Sequence, residues 1–291
     1  MSAALTRARL AVLGAALLFS TGGAAIKGTT LTAFQVAGFR SAVAAVVLLV
    51  CLPAARRGYR ADLLPAAIAY AATLVCFVTA TKLTTAAAAI FLQSTAPLWV
   101  VLLAPWLLAE PFRRRDLPLL AAVAAGLVLV FLGSRDVAAT APRPLLGNAI
   151  ALASGLAYAL LMILMRRLAK SGGPADRSLQ ATVLGNGIAF LACLPVALPV
   201  ERFTGGDVGA ILYLGTIQIA LAYQLFTRGL AHLPALEVSL LVLLEPVLNP
   251  VWTWWLHGER PSGLAIAGGA VLIGAMLARA LADRRGARAG S

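Results

Sequence analysis

Two side chains in this sequence carry charge where charge is expensive. Glu245 lies in the apolar run SLLVLLEPVLNPVWTWWLHGE, residues 239–259, directly before Pro246. About ten residues into a helix, at ~1.5 Å per residue, it is predicted roughly 15 Å deep, near the midplane of a bilayer. An ionised carboxylate costs about 3 kcal/mol there on insertion scales, which argues against an idle one. Pro246 removes a helical hydrogen bond beside it and invites a kink, so the pair suits a cavity wall or a hinge. The structural alternative is a carboxylate bonded to a neighbouring helix, locking the bundle. Arg40, in FRSAVAAVVLL, is the second intramembrane charge, roughly 10 Å into its span. It can snorkel, pair with helix-end carbonyls, or act as charge partner to a substrate carboxylate.

Neutral polar and aromatic side chains form a second group. Gln93, Ser94 and Thr95 precede Pro97, a second hinge candidate, and Trp99 follows it. Asn148, Ser154 and Tyr158 fall on one later apolar run, Gln218, Tyr223 and Gln224 on another, and Asn249 and Trp252 follow Glu245. Ser154 and Tyr158 are four residues apart, as are Glu245 and Asn249, which puts each pair on one helical face. The candidate substrate-binding set is therefore Gln93, Trp99, Ser154, Tyr158, Gln218, Tyr223, Gln224, Glu245, Asn249 and Trp252. The competing explanation is helix glue for the amides and hydroxyls and an interfacial belt for the tryptophans. For Trp106, Trp254 and Trp255, near run ends, the belt is preferred. A wall of amides and aromatic rings with few fixed charges suits a small zwitterion. Sugar phosphates call for two or more converging cations, and Lys27 and Lys82 read as interfacial anchors.

Other chemistry finds little support. His232 and His257 make no HExxH pattern, no lysine-bearing glycine loop is present, and Cys51, Cys76 and Cys193 each sit alone in apolar runs. The expectation is no enzyme, no cofactor and no metal.

The elements that position these groups follow from composition. The chain has 291 residues, 61% of them hydrophobic and 12% charged, with a mean hydropathy of +0.90. That excludes a soluble domain and predicts an all-α integral membrane protein. The runs are continuous rather than alternating, which excludes a barrel. Ten apolar segments are expected, near 10–27, 33–52, 63–80, 84–108, 117–133, 145–165, 179–199, 208–227, 235–256 and 263–281. The basic start reads as an uncleaved first span. With the N-terminus in the cytoplasm, 17 of the 24 lysines and arginines fall on that side, so both termini are expected there, in a plasma (inner) membrane. Scattered over short loops, these charges explain the formal +13 through lipid headgroups rather than nucleic acid.

The chain also repeats itself. A shift of 149 lays Phe77 on Phe226, Pro97 on Pro246, Trp106 on Trp255 and Glu110 on Glu259. A shift of 133 lays Leu13–Gly22 on Leu146–Gly155, and a shift of 146 pairs Arg40 with Asn186. Five spans per half is an odd number, so the second copy enters the membrane from the opposite side. Two inverted repeats, 1–137 and 138–291, around a central cavity are expected.

The runs STAPLWVVLLAPWLLAEP and LLEPVLNPVWTWWLHGERP, the small-residue-rich first helix of each half and the arginine of FRSAVAAVVLL resemble the drug/metabolite transporter (DMT) superfamily, EamA type. The resemblance covers essentially the whole chain. It is similar to bacterial amino-acid exporters, including the YddG (aromatic amino-acid exporter) type. The resemblance implies a secondary transporter exporting small metabolites, most simply aromatic or neutral amino acids, by alternating access; lipid and substrate are the expected partners, and a monomer is expected, with an oligomer as the alternative. The rival readings are a proton-coupled drug or toxic-cation exporter and a nucleotide-sugar or triose-phosphate carrier.

Overall fold

The computed structural model of the chain describes residues 3–107, 117–133, 140–170, 177–230, 233 and 241–289, and every regular element in them is helical. In chain order, with two short 3-10 turns (Pro53–Arg56 and Ala61–Leu63) between α3 and α4, these are α1 (Ala3–Ser20), α2 (Gly22–Lys27), α3 (Ala33–Cys51), α4 (Leu64–Leu83), α5 (Ala86–Gln93) and α6 (Ala96–Leu107). Then come α7 (Leu117–Gly133), α8 (Pro144–Lys170), α9 (Arg177–Ala197), α10 (Gly205–Tyr213), a π-helical stretch Leu214–Leu221, α11 (Ala222–Leu230), α12 (Leu244–His257) and α13 (Gly263–Ala289).

Among the described residues, six helical stretches are long and apolar enough to cross a bilayer: Leu5–Lys27, Ala33–Cys51, Ala61–Leu83, Pro144–Met165, Arg177–Ala197 and Gly205–Phe226. Shorter apolar helices run over Ala86–Val100, Leu117–Gly133 and Gly263–Ala275. Of the predicted span 235–256, the part from 241 on is described. Glu110, His232 and positions 134–139 lie outside the described residues.

Several spans are interrupted, and the sequence says where. Proline lacks an N–H and its ring collides with the carbonyl four residues earlier, so a helix cannot run through it undisturbed. Four residues before Pro97 is Gln93, where α5 ends, and the helix resumes as α6 at Ala96. Four residues before Pro246 is Val242, followed by a turn at Leu243 and a restart as α12. The expected kink inside a continuous helix is thus a break. Both prolines fall in the first turn of the new segment, where no N–H is missed. The first span breaks at Thr21, where the Ser20 and Thr21 hydroxyls donate to the carbonyls of Leu17 and Leu18, 2.7 Å each, and two glycines follow.

Among the helix pairs in contact are α4 with α8, α1 with α11, α3 with α9 and α7 with α13, while α9 also touches α4 and the π-helical stretch touches α3. Between apolar helices in lipid there is little hydrophobic drive, so close backbone approach through small residues holds the pairs. At the α7–α13 crossing a Cβ on Gly268 would stand 2.7 Å from the Gly126 carbonyl oxygen and 2.8 Å from the Val130 nitrogen. Both are backbone atoms and cannot move aside. Gly268→Val is expected to lower stability by ~1–3 kcal/mol or more, measured as a shift in denaturant-induced unfolding in detergent micelles.

Candidate transport path

Two polar crossings lie inside the bundle, one built from each set of interrupted helices. At the first, Gln93 Nε2 at the end of α5 donates to Ser154 Oγ on α8 at 2.8 Å, and Ser154 Oγ donates to the Thr73 carbonyl of α4 at 3.0 Å. Ser154 is fully buried, and Gly155 beside it lets α8 approach the Leu92 and Gln93 carbonyls, 3.1 and 3.0 Å from where a Cβ would be. At the second, Trp252 Nε1 on α12 donates to Ser20 Oγ at 2.9 Å, and the Thr21 and Tyr213 hydroxyls meet at 2.7 Å. Gly22 and Gly23 face Gln218 and Asn249, whose amides would stand 2.8 and 2.5 Å from added Cβ atoms. The α1–α2 break is therefore what lets α12 and the π-helical stretch close in.

Between the crossings lies an aromatic group. Tyr223 stacks edge-on against Phe19 at 5.1 Å between centroids and tilts against Tyr70 at 5.4 Å. Tyr158 packs on the same cluster from α8. Glu245, half-buried in the first turn of α12, lies within electrostatic reach of Tyr158 and Tyr223. A carboxylate there also faces the positive end of a helix dipole, a favourable place for it. Several buried polar atoms of the described residues have no hydrogen-bond partner: Trp99 Nε1, Gln218 Oε1, both amide atoms of Asn249, Nε and Nη2 of Arg40, and, beside Thr84 at the helix ends, Asn148 Nδ2.

The structure thus brings Gln93 and Ser154 together, and Tyr158, Tyr223 and Glu245 together, with Asn249, Gln218 and Trp252 on the opposite crossing. Gln224 is half-buried on α11 beside Tyr223, and Pro97 lies in the first turn of α6. An apolar surface groove of about 420 Å³, lined by Phe39, Val200, Phe203, Val208, Ile211 and Leu212, holds none of these polar groups.

Sequence reasoning missed the closure at the helix ends. Lys27 is no interfacial anchor: its side chain is 5% exposed and makes a 3.0 Å ion pair with Glu259, itself 2% exposed. Lys27 Nζ also donates to the Thr84 carbonyl at 2.7 Å and to the Thr140 carbonyl, while Glu259 Oε1 accepts from Ala86 N at 2.6 Å. Lys82 Nζ donates to the carbonyl and hydroxyl of Thr29 at 2.7 and 2.8 Å. Asp207 is buried, accepts from the backbone and hydroxyl of Thr30, both at 2.7 Å, and caps α10 with Thr204. His257 Nε2 meets the Ala24 carbonyl at 2.8 Å. Isolated charges at run ends look like anchors in a linear sequence; only the repeat partner of Glu259, Glu110, hinted that this acid had a structural position.

Buried polar groups without partners among the apolar helices of a multi-pass bundle suit a membrane transporter. The EamA-like transporter family model matches residues 6–132 and again 145–279, and the chain belongs to that family. The chain is 28% identical over 286 residues to the pseudopaline exporter CntI of Pseudomonas aeruginosa (strain UCBPP-PA14), covering 92% of this chain and 94% of that one. It is 26% identical over 208 residues to an uncharacterized transporter of Archaeoglobus fulgidus, 70% and 71% of the two chains. A solved crystal structure superposes with a TM-score of 0.63 at 19% identity over 96% of this chain and 98% of that one, a likeness of fold.

Proposed function

We propose that this transporter exports small organic metabolites, most simply neutral or aromatic amino acids as in the YddG type, by rocking two inverted halves, 1–137 and 138–291, about the central polar group. The observation that carries the substrate class is the make-up of the centre: amides, hydroxyls and aromatic rings, with one carboxylate and one guanidinium lying apart. Such a wall offers a zwitterion both signs of charge and an apolar side chain a surface, and it lacks the converging cations of a phosphate site. The inverted halves are supported by packing that repeats with roles exchanged: α4 on α8 in one sense, α11 on α1 in the other. The matching breaks before Pro97 and Pro246 and the double family match support them too. The pseudopaline exporter, at full length, favours metabolite export over drug export. With both termini cytoplasmic in the inner membrane, as the distribution of basic residues suggests, the buried Lys27–Glu259 pair would lie at the outward-facing end.

Purified protein in liposomes, offered labelled amino acids, lipophilic cations and sugar phosphates with and without a pH gradient, tests the reading. Uptake of neutral or aromatic amino acids is expected. Uptake of cations alone, driven by the pH gradient, would replace it with the cation-exporter reading.

A further inference from the structure

Arg40 is 1% exposed, heads the large fully buried side chains of the described residues, and has nowhere to snorkel. It sits where α3 crosses α9 and the π-helical stretch. A Cβ on Gly38 would stand 3.1 Å from that of Cys193, and one on Gly215 would stand 2.8 Å from the Arg40 carbonyl oxygen. Neighbouring helices therefore approach α3 closely on either side of Arg40. Among the described residues, Tyr70, Tyr223 and Cys193 lie within electrostatic reach of it, and no carboxylate does. Its Nε and Nη2 lack hydrogen-bond partners. These are the two nitrogens of one edge of the guanidinium plane, whose paired N–H groups match the two oxygens of a carboxylate.

Beside it, Asn186 Nδ2 donates to the Tyr70 hydroxyl at 3.1 Å and to the Thr182 carbonyl at 2.9 Å, which leaves Oδ1 without a partner. This buried cluster thus holds two unpartnered donors on a cation and one unpartnered acceptor on a neutral amide. That is the complement of a carboxylate with an ammonium close to it. A phosphate would leave charge unmatched, since Lys27 and Lys82 are engaged at the sealed end.

We propose that Arg40, oriented within the Tyr70–Asn186 pair, is a carboxylate-binding subsite of the transport path, so that the cargo must carry a free carboxylate. This rests on the export reading above and narrows it.

The test uses acid and amide pairs of one shape: benzoate with benzamide, and phenylalanine with phenylalaninamide, on the purified full-length chain. Benzoate and phenylalanine are expected to raise the thermal transition and bind at least about tenfold tighter than their amides, the size of a lost charge-assisted hydrogen bond. Arg40→Gln is expected to erase that preference and Arg40→Lys to retain part of it. Should Arg40→Gln fail to fold, the acid–amide comparison on the natural protein decides alone. Equal binding of acid and amide, or an Arg40→Gln protein that still prefers the acid, overturns the subsite. Liposome uptake separates the two ideas. Amino acids and their amides carried alike removes the subsite and keeps the exporter; Arg40-dependent carboxylate binding with no uptake keeps the subsite and removes the exporter.

Discussion

Lys27→Met is expected to cost about 3–5 kcal/mol of stability, because it leaves the buried Glu259 carboxylate without its ion-pair partner. The Lys27 ammonium also holds two carbonyls, of Thr84 and Thr140, so its loss loosens the ends of α2, α4 and α8 together. Glu259→Gln alone strands the ammonium and is expected to cost a similar amount. The double variant is expected to recover much of the loss: the substituted glutamine side chain keeps an oxygen for the Ala86 N–H, and no charge is left unpaired. Unfolding of all four proteins in micelles gives the coupling energy directly. A coupling near zero would show that the pair does not hold this end shut. A cysteine placed near Thr84 adds a second readout, since its labelling should speed up in either single variant.

Glu245→Gln is expected to cut transport of zwitterions at least tenfold while leaving the fold intact. A hydrogen bond to a charged group is worth ~1.5–3 kcal/mol, and about 1.4 kcal/mol is a factor of ten. The carboxylate is half-buried at the start of a helix segment and close to Tyr158 and Tyr223, where an ammonium could reach it. Initial rates in liposomes, with rate and half-saturation separated, check this. Unchanged transport with lowered stability would mean that the acid only locks α12. Loss confined to lipophilic cations, with amino acids never moved, would make it a cation site.

How far the site was legible varies by residue. Glu245, Asn249, Gln93 and Ser154 were readable because polar groups in long apolar runs are costly, so their presence implies an inward face. That Gln93 meets Ser154, and Trp252 meets Ser20, was not readable, since spacing along one helix says nothing of which other helix lies across it. Pro97 and Pro246 marked the discontinuities, but not whether the helix bends or stops. Lys27 was misread because a lysine at the end of a span can reach water in either direction, and only packing decides that Glu259 occupies that space.

By itself the sequence determined a helical membrane chain, the places where helices cannot continue, and its family likeness, because hydropathy, proline sterics and small-residue patterns are local properties. The tertiary structure decided what those helices enclose: an unpaired guanidinium at one crossing, two polar crossings built on broken helices, and an ion pair sealing one end. Each of these depends on side chains distant in sequence coming within a few ångströms, and inside a bilayer it is the lack of water that makes every unmet polar group count.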